Sequence, residues 1–169
     1  MRNLNVEIKK IRFLIEYNKG DSSVSEKEYK LYVDMGGVLF TKMGADEGGS
    51  GDKTVYIGSE LWKGIKKYDP TILSATGSKN EDDAKETKKK QVKDHLEPIP
   101  PIKFVMSGKD KGKEYADENS ILIDDSQTNI DSWVNNGGIG IKHSSDNVKK
   151  TLDKLKSIME KWDYWLRKY

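Results

Sequence analysis

Cysteine is absent from this 169-residue chain, which excludes disulfide staples and thiolate metal sites. Histidine is almost absent as well. His95 and His143 lie far apart in the sequence, which argues against a histidine-based metal centre. Any metal would then be held by oxygen, the chemistry of Mg²⁺ and similar hard cations. No apolar run approaches the ~20 residues that span a bilayer. The opening Met1-Arg2-Asn3-Leu4-Asn5 lacks the apolar core of a signal peptide. Charge of one sign is also lacking: 34% of residues are charged, yet the net charge is only +2. That balance gives no case for general nucleic-acid binding. These absences describe a soluble, cytoplasmic protein with no membrane partner. Its length suits one domain with a core of its own.

What is present alternates between apolar runs and amphipathic ones, without internal repeats, the pattern of an α/β domain around a parallel sheet. Five runs read as strands: Tyr29–Asp34, Thr71–Ala75, Ile102–Met106, Ser120–Asp124 and Gly138–Lys142. The middle three are nearly continuous apolar runs, as strands covered on both faces must be. Between them, Ser59 is placed to cap a helix carrying Leu61, Trp62, Ile65 and Tyr68, stopped by Asp69-Pro70. Residues 80–96 read as a highly charged, exposed helix, with Lys88-Lys89-Lys90 as a solvated face rather than a phosphate-backbone contact. Residues 128–136 carry Ile130, Trp133 and Val134 and end at Gly137-Gly138. The last segment repeats Val148, Leu152, Leu155, Ile158, Met159, Trp162, Trp165 and Leu166 at helical spacing. Its tryptophan stripe reads as core packing, with a homo-oligomer contact as the alternative. Two regions stand outside the alternation. Residues 1–28 form an N-terminal extension whose Ile11–Tyr17 run suits either a strand or a short helix. Residues 41–53 are Gly-rich and acidic and read as a mobile loop; their glycines lack the spacing of a dinucleotide site.

Several strand ends carry polar residues that an apolar strand does not need. Asp34 ends the first strand, Ser74 lies near the end of the second, and Asp124-Asp125 end the fourth. In an open parallel sheet, ligands bind beyond the carboxyl ends of the strands, near the switch point in strand order. There Asp34 and Asp124 could hold Mg²⁺, and an aspartate could attack phosphorus as a nucleophile. Ser74 could donate to a phosphate oxygen. A lysine from the 109–113 stretch could neutralise another; Lys111 and Lys113 both suit, and Lys109 competes.

Tyr32-Val33-Asp34-Met35-Gly36-Gly37-Val38-Leu39 resembles the first motif of the haloacid dehalogenase (HAD)-like hydrolase superfamily, hhDxDGV. Ile72-Leu73-Ser74 resembles its second motif, Lys111 its third, and Ile121-Leu122-Ile123-Asp124-Asp125-Ser126 its fourth, hhhDD. The continuation from Asn129 to Trp133 and through Gly137 to Ile141 is similar to small nucleotidase-like and phage-type members. The resemblance covers roughly residues 29–143. It implies a Rossmann-like three-layer sandwich whose five parallel strands run in the order 3-2-1-4-5. It also implies Mg²⁺ as cofactor and an aspartyl-phosphate intermediate. Asp34 would be nucleophile and metal ligand, Gly36 a ligand through its backbone carbonyl, and Asp124 and Asp125 the rest of the metal site. Ser74, Ala75 and Lys111 would bind phosphate.

One departure stands out. The family's second aspartate of the first motif falls on Gly36, which cannot protonate a leaving group or activate water. Such help is worth about 10²–10⁴-fold. The dehalogenases and phosphonatases of the family also lack that aspartate. The motif spacing leaves no room for a large cap domain, only for a small flap within residues 41–58 of a domain covering 29–169. Capless members often act on bulky phosphates or close the site by oligomerising. Two functions follow as expectations. One is a phosphatase acting on a phosphorylated small molecule or a nucleic-acid end, with impaired turnover. The other is a catalytically silent relative that binds a phosphorylated ligand or a protein partner. A response-regulator receiver domain fits poorly, because its acidic pair ends the first strand rather than the fourth.

Overall fold

The computed structural model describes residues 29–43, 53–77 and 81–168. The Ile11–Tyr17 run and the centre of the Gly-rich stretch lie outside the described residues. In chain order the elements are β1 (Lys30–Val33), β2 (Phe40–Met43), β3 (Lys53–Tyr56), α1 (Ser59–Ile65), β4 (Thr71–Ala75), α2 (Glu81–His95), β5 (Ile102–Val105), α3 (Asp110–Tyr115), β6 (Ser120–Asp124), α4 (Gln127–Asn135), β7 (Ile139–Lys142) and α5 (Val148–Lys168).

Five strands form one parallel sheet in the order β5-β4-β1-β6-β7. Numbered as the sequence presents them, that is 3-2-1-4-5, the doubly wound order expected. The apolar runs explain why both faces are covered. Successive strand residues point to opposite sides of a sheet. Accordingly Leu31, Val33, Ile72, Ile121 and Ile123 join one buried cluster, and Tyr32, Leu73 and Leu122 join another. The first cluster takes in Leu61, Trp62 and Ile65 of α1, Val92 of α2 and Leu155 of α5. The second takes in Ile130 and Trp133 of α4. Ile121, Leu122 and Ile123 are each fully buried, and each such side chain stabilises the fold by about 1.5–3 kcal/mol. The result is a three-layer α/β sandwich of Rossmann-like layout.

The long helix α5 follows its apolar period. Leu155 is in the core, Leu152, Ile158 and Met159 pack against it, and Trp162 meets Tyr29 at a tilt, with ring centroids 4.4 Å apart. The Trp165 side chain lies outside the described residues. No described helix is long and apolar enough to cross a membrane.

Two expectations need correcting, and one element went unread. Ser59 does not cap α1: Gly58 occupies the N-cap position and no side chain caps it. The stretch read as a mobile loop holds strand at both ends, because β2 and β3 pair as an antiparallel hairpin, Thr41 opposite Val55 and Phe40 opposite Tyr56. His95 of α2 lies against the Phe40 and Tyr56 rings and ties this hairpin to the sandwich. The segment around Lys111 is a helix, α3, which no apolar period announced.

Candidate active site

β1 is central, with β4 on one side and β6 on the other, so the chain order reverses at its carboxyl end. This is the crevice in which open α/β sheets hold ligands. Asp34 lies there, one residue beyond β1, and its backbone N–H donates to Ile123 O at 2.9 Å. The chain then turns back tightly: Leu39 and Phe40 both donate to Met35 O, and Gly37 N donates to Phe40 O at 2.7 Å. Gly37 has φ +74, and a Cβ there would lie 2.2 Å from an Asp125 carboxylate oxygen. Only glycine tolerates both the backbone and this approach. The turn after β1 is thereby seated against the acidic end of β6.

Asp124 ends β6 fully buried. Its carboxylate accepts from the Ser126 backbone N–H at 2.8 Å and from Asn129 Nδ2 at 3.1 Å. Ser126 caps α4 by accepting from Asn129 N, so the start of this helix and the carboxylate are fixed together. Lys111 Nζ then bridges the two strands, donating to Asp34 Oδ1 at 2.5 Å and to Asp124 Oδ2 at 2.7 Å. Its side chain is 1% exposed. A buried charge is tolerated only when paired and hydrogen-bonded, and each of these three has partners.

Lys111 reaches this position because α3 lies tight against α4. A Cβ on Gly112 would stand 2.6 Å from Ser132 O, and Ser132 Oγ donates to Lys109 O at 2.8 Å. Lys113, the competing lysine, points away: it is 69% exposed and pairs at 3.6 Å with Asp110 of its own helix.

Asp34, Asp124 and Asp125 each bring a carboxylate oxygen within 4.8 Å of the others. Three carboxylates facing one buried ammonium leave the cluster net negative, and a divalent cation would neutralise it. The donors are all oxygen, and no described cysteine or histidine joins them, so the set fits a hard cation such as Mg²⁺. Burial pushes the Asp34 carboxyl up to about 6 from its ordinary 3.8. Lys111 pulls against that rise and Asp124 adds to it.

Gly36 lies on the exposed side of the turn, and among the described residues nothing stands within 4 Å of where its Cβ would be. Ser74 is buried near the end of β4, and half-buried Ala75 follows it. Strand alternation places Ser74 on the face opposite Leu73, away from the layer that delivers Lys111. Ser74 is met there by a lysine expected on a solvated face. Lys88 of α2 donates from Nζ to Ser74 Oγ at 2.7 Å. The solvated-face reading holds for its neighbours: Lys89 pairs with Glu86 and Lys90 with Asp94 on the outside of α2. It fails for Lys88, which is half-buried. The signal was present, because Lys88 stands four residues before the buried Val92 and shares its helix face. Asn129 was also missed as a site residue; its mark was a position in the first turn of the helix that follows Asp124-Asp125. His143, far from His95 in the sequence, is buried, with Nδ1 3.0 Å from Thr151 Oγ1.

No protein-family model matches this chain, and no curated protein matches it.

Proposed function

We propose that the chain is a HAD-like, Mg²⁺-dependent phosphomonoester hydrolase in which Asp34 is the nucleophile. One observation carries this reading. Asp34, Lys111 and the Asp124-Asp125 pair, drawn from three separate segments, meet at the carboxyl end of the central strands. A structural role alone does not call for two buried carboxylates and a buried lysine at a sheet's open edge, because replacing such a cluster with apolar residues often costs nothing.

Asp34 attacks phosphorus, the bond from phosphorus to the leaving oxygen breaks, and an aspartyl-phosphate results. Lys111 keeps Asp34 ionised and oriented, countering the burial that favours its protonated form. Asn129 and the Ser126 N–H orient Asp124. Ser74 donates to a phosphate oxygen, with Ala75 beside it on the same strand end. Mg²⁺, where bound, would be held by Asp34, Asp124, Asp125 and the Gly36 carbonyl, and would supply positive charge that offsets the repulsion between the Asp34 carboxylate and an anionic phosphate. The leaving oxygen still needs a proton and the second step needs an activated water; Gly36 offers neither. Turnover is therefore slow. The substrate class is a terminal phosphate on a small molecule or a nucleic-acid end, met by a cytoplasmic protein.

One observation favours a second reading, a silent relative that binds a phosphorylated ligand or a protein partner: no other side chain of the described residues fills the space beside Gly36. That same space makes the test clean, because an aspartate fits there without repacking. Phosphate release from a panel of phosphomonoesters with Mg²⁺ separates the two readings. The hydrolase reading expects Gly36→Asp to gain about 10²–10⁴-fold and Asp34→Asn to be inert. A Gly36→Asp protein as inert as Asp34→Asn across the panel leaves only the binding reading.

A further inference from the structure

The ends of β4 and β5 rise past Asp34 as a wall. Val33 pairs with Ile72 and Ile72 with Ile102, so Asp34 stands below the last residues of both strands. Beyond them the two chains stay joined: Thr76 N donates to Val105 O and Gly77 N to Met106 O, each at 3.0 Å. An in-line attack by Asp34 sends the leaving oxygen away from Asp34 and out of the crevice. The group that this oxygen carries then passes along the wall.

The wall carries apolar side chains that phosphate binding does not use. Ser74 and Phe104 are register partners, so their side chains share one face of the sheet, on strands ~4.8 Å apart. β5 is an edge strand, and no strand covers the far side of Phe104. Phe104 is half-buried, yet among the described residues it belongs to neither core cluster and packs against neither. Met106, the first residue past β5, is 50% exposed. Single exposed apolar side chains are ordinary, as Ile99 is where it precedes β5 at the other end of the sheet. A phenylalanine and a methionine two residues apart, beside Ser74 at the rim of a crevice, form a continuous apolar surface.

We propose that Phe104 and Met106 form a leaving-group platform, which makes the site select phosphates carried on a flat aromatic group. This rests on the reading of the site as a phosphate site, and it assigns the part of the substrate that the phosphate-binding residues do not touch. A ring lying over Met106 meets a flexible, polarisable thioether that adapts to it. Phe104 beside it offers a second aromatic contact. A short alkyl group reaches neither.

Phenylphosphonate and methylphosphonate are suitable probes, because their carbon–phosphorus bonds resist hydrolysis and they differ only in the group beside the phosphorus. Binding of each is measured by calorimetry with Mg²⁺, at a pH where both are dianions, for wild type, Met106→Ser, Met106→Leu and Ile99→Ser. Wild type should prefer phenylphosphonate about tenfold, through the apolar area the ring buries. Met106→Ser should lose about three- to tenfold of that preference, the range of a sulfur–aromatic contact, and should bind methylphosphonate as wild type does. Misfolding would weaken both probes alike and leave their ratio unmoved. Met106→Leu should keep most of the preference, and Ile99→Ser all of it. The platform is wrong if Met106→Ser keeps the wild-type ratio, or if Met106→Leu loses as much as Met106→Ser. Wild type that binds both probes equally also removes the platform and leaves the phosphate site standing. Wild type that binds neither overturns the platform together with the reading beneath it.

Discussion

Asp34 is held among opposing influences, and its titration reports on them. Its carboxyl is raised from 3.8 to about 6 by burial, so the folded protein holds this proton more tightly than the unfolded chain does. The associated stability is fully present below about pH 4 and is lost as pH rises through about 6. Metal-free wild type and Asp34→Asn, unfolded in urea from pH 4 to 7, should show it. The variant, which cannot ionise, should gain on wild type across that window and level off above it. A constant difference would mean that Asp34 is not raised. Mg²⁺ should reverse the trend, since it binds only the ionised carboxylate; its stabilising effect should be larger at pH 7 than at pH 5.

Lys111 is the counterpart. Lys111→Met removes the one ammonium bonded to both Asp34 and Asp124. Breaking a buried ion pair by removing one partner costs about 3–5 kcal/mol. The loss should show in denaturant titrations at pH 7 and shrink at pH 5, where Asp34 takes up a proton instead. A variant as stable as wild type at both values would mean that the cluster is better solvated than its burial indicates.

Among the elements, those that bury apolar side chains were legible and those that do not were hidden. The Ile121-Leu122-Ile123 run could be read as a strand because the sheet covers it on both faces. α5 could be read because Leu152, Leu155, Ile158 and Met159 return every turn against the core. α3 was unreadable for the opposite reason. It is six residues long, carries a glycine and buries Lys111 and Gly112 rather than apolar side chains. It is held by Gly112 against α4 and by Asp110, which accepts from the Ser107 hydroxyl at 2.7 Å. Those tertiary contacts leave no periodic trace. The β2–β3 hairpin was obscured by the glycines between its strands, and Lys88 by two lysines that do face water. The acidic residues of the site were legible because a charge at the end of an apolar strand has no structural excuse. The lysine was narrowed only to a short stretch, of which the fold brings Lys111 rather than Lys113 to Asp34 and Asp124. Gly112→Ala tests the packing argument: a Cβ 2.6 Å from Ser132 O must push α3 outward. Overpacking of this kind costs about 1–3 kcal/mol. Thermal unfolding should register the loss, and Mg²⁺-dependent activity on a Gly36→Asp background should fall further than stability alone explains. An alanine variant with native stability and activity would show that α3 has slack.

At the scale of the whole molecule, a doubly wound sheet brings distant acidic segments to one edge, and the segments between motif strands are short. Among the described residues those between β1, β4 and β6 carry one hairpin, helices α1 to α3 and strand β5, and no inserted domain. The site is thus built by sheet topology rather than by a cap. Its completeness on the acidic side contrasts with the empty space at Gly36. The central claim is that Asp34 attacks phosphorus while the second step lacks its acid–base group. The most direct measurement is the mass of the intact protein after incubation with Mg²⁺ and an aryl phosphate, whose leaving group needs no proton. The account predicts that wild type accumulates a single phosphoryl group on Asp34, that Asp34→Asn acquires none, and that Gly36→Asp turns over without accumulating it. Wild type that remains unmodified under conditions where Gly36→Asp also releases no phosphate would contradict it.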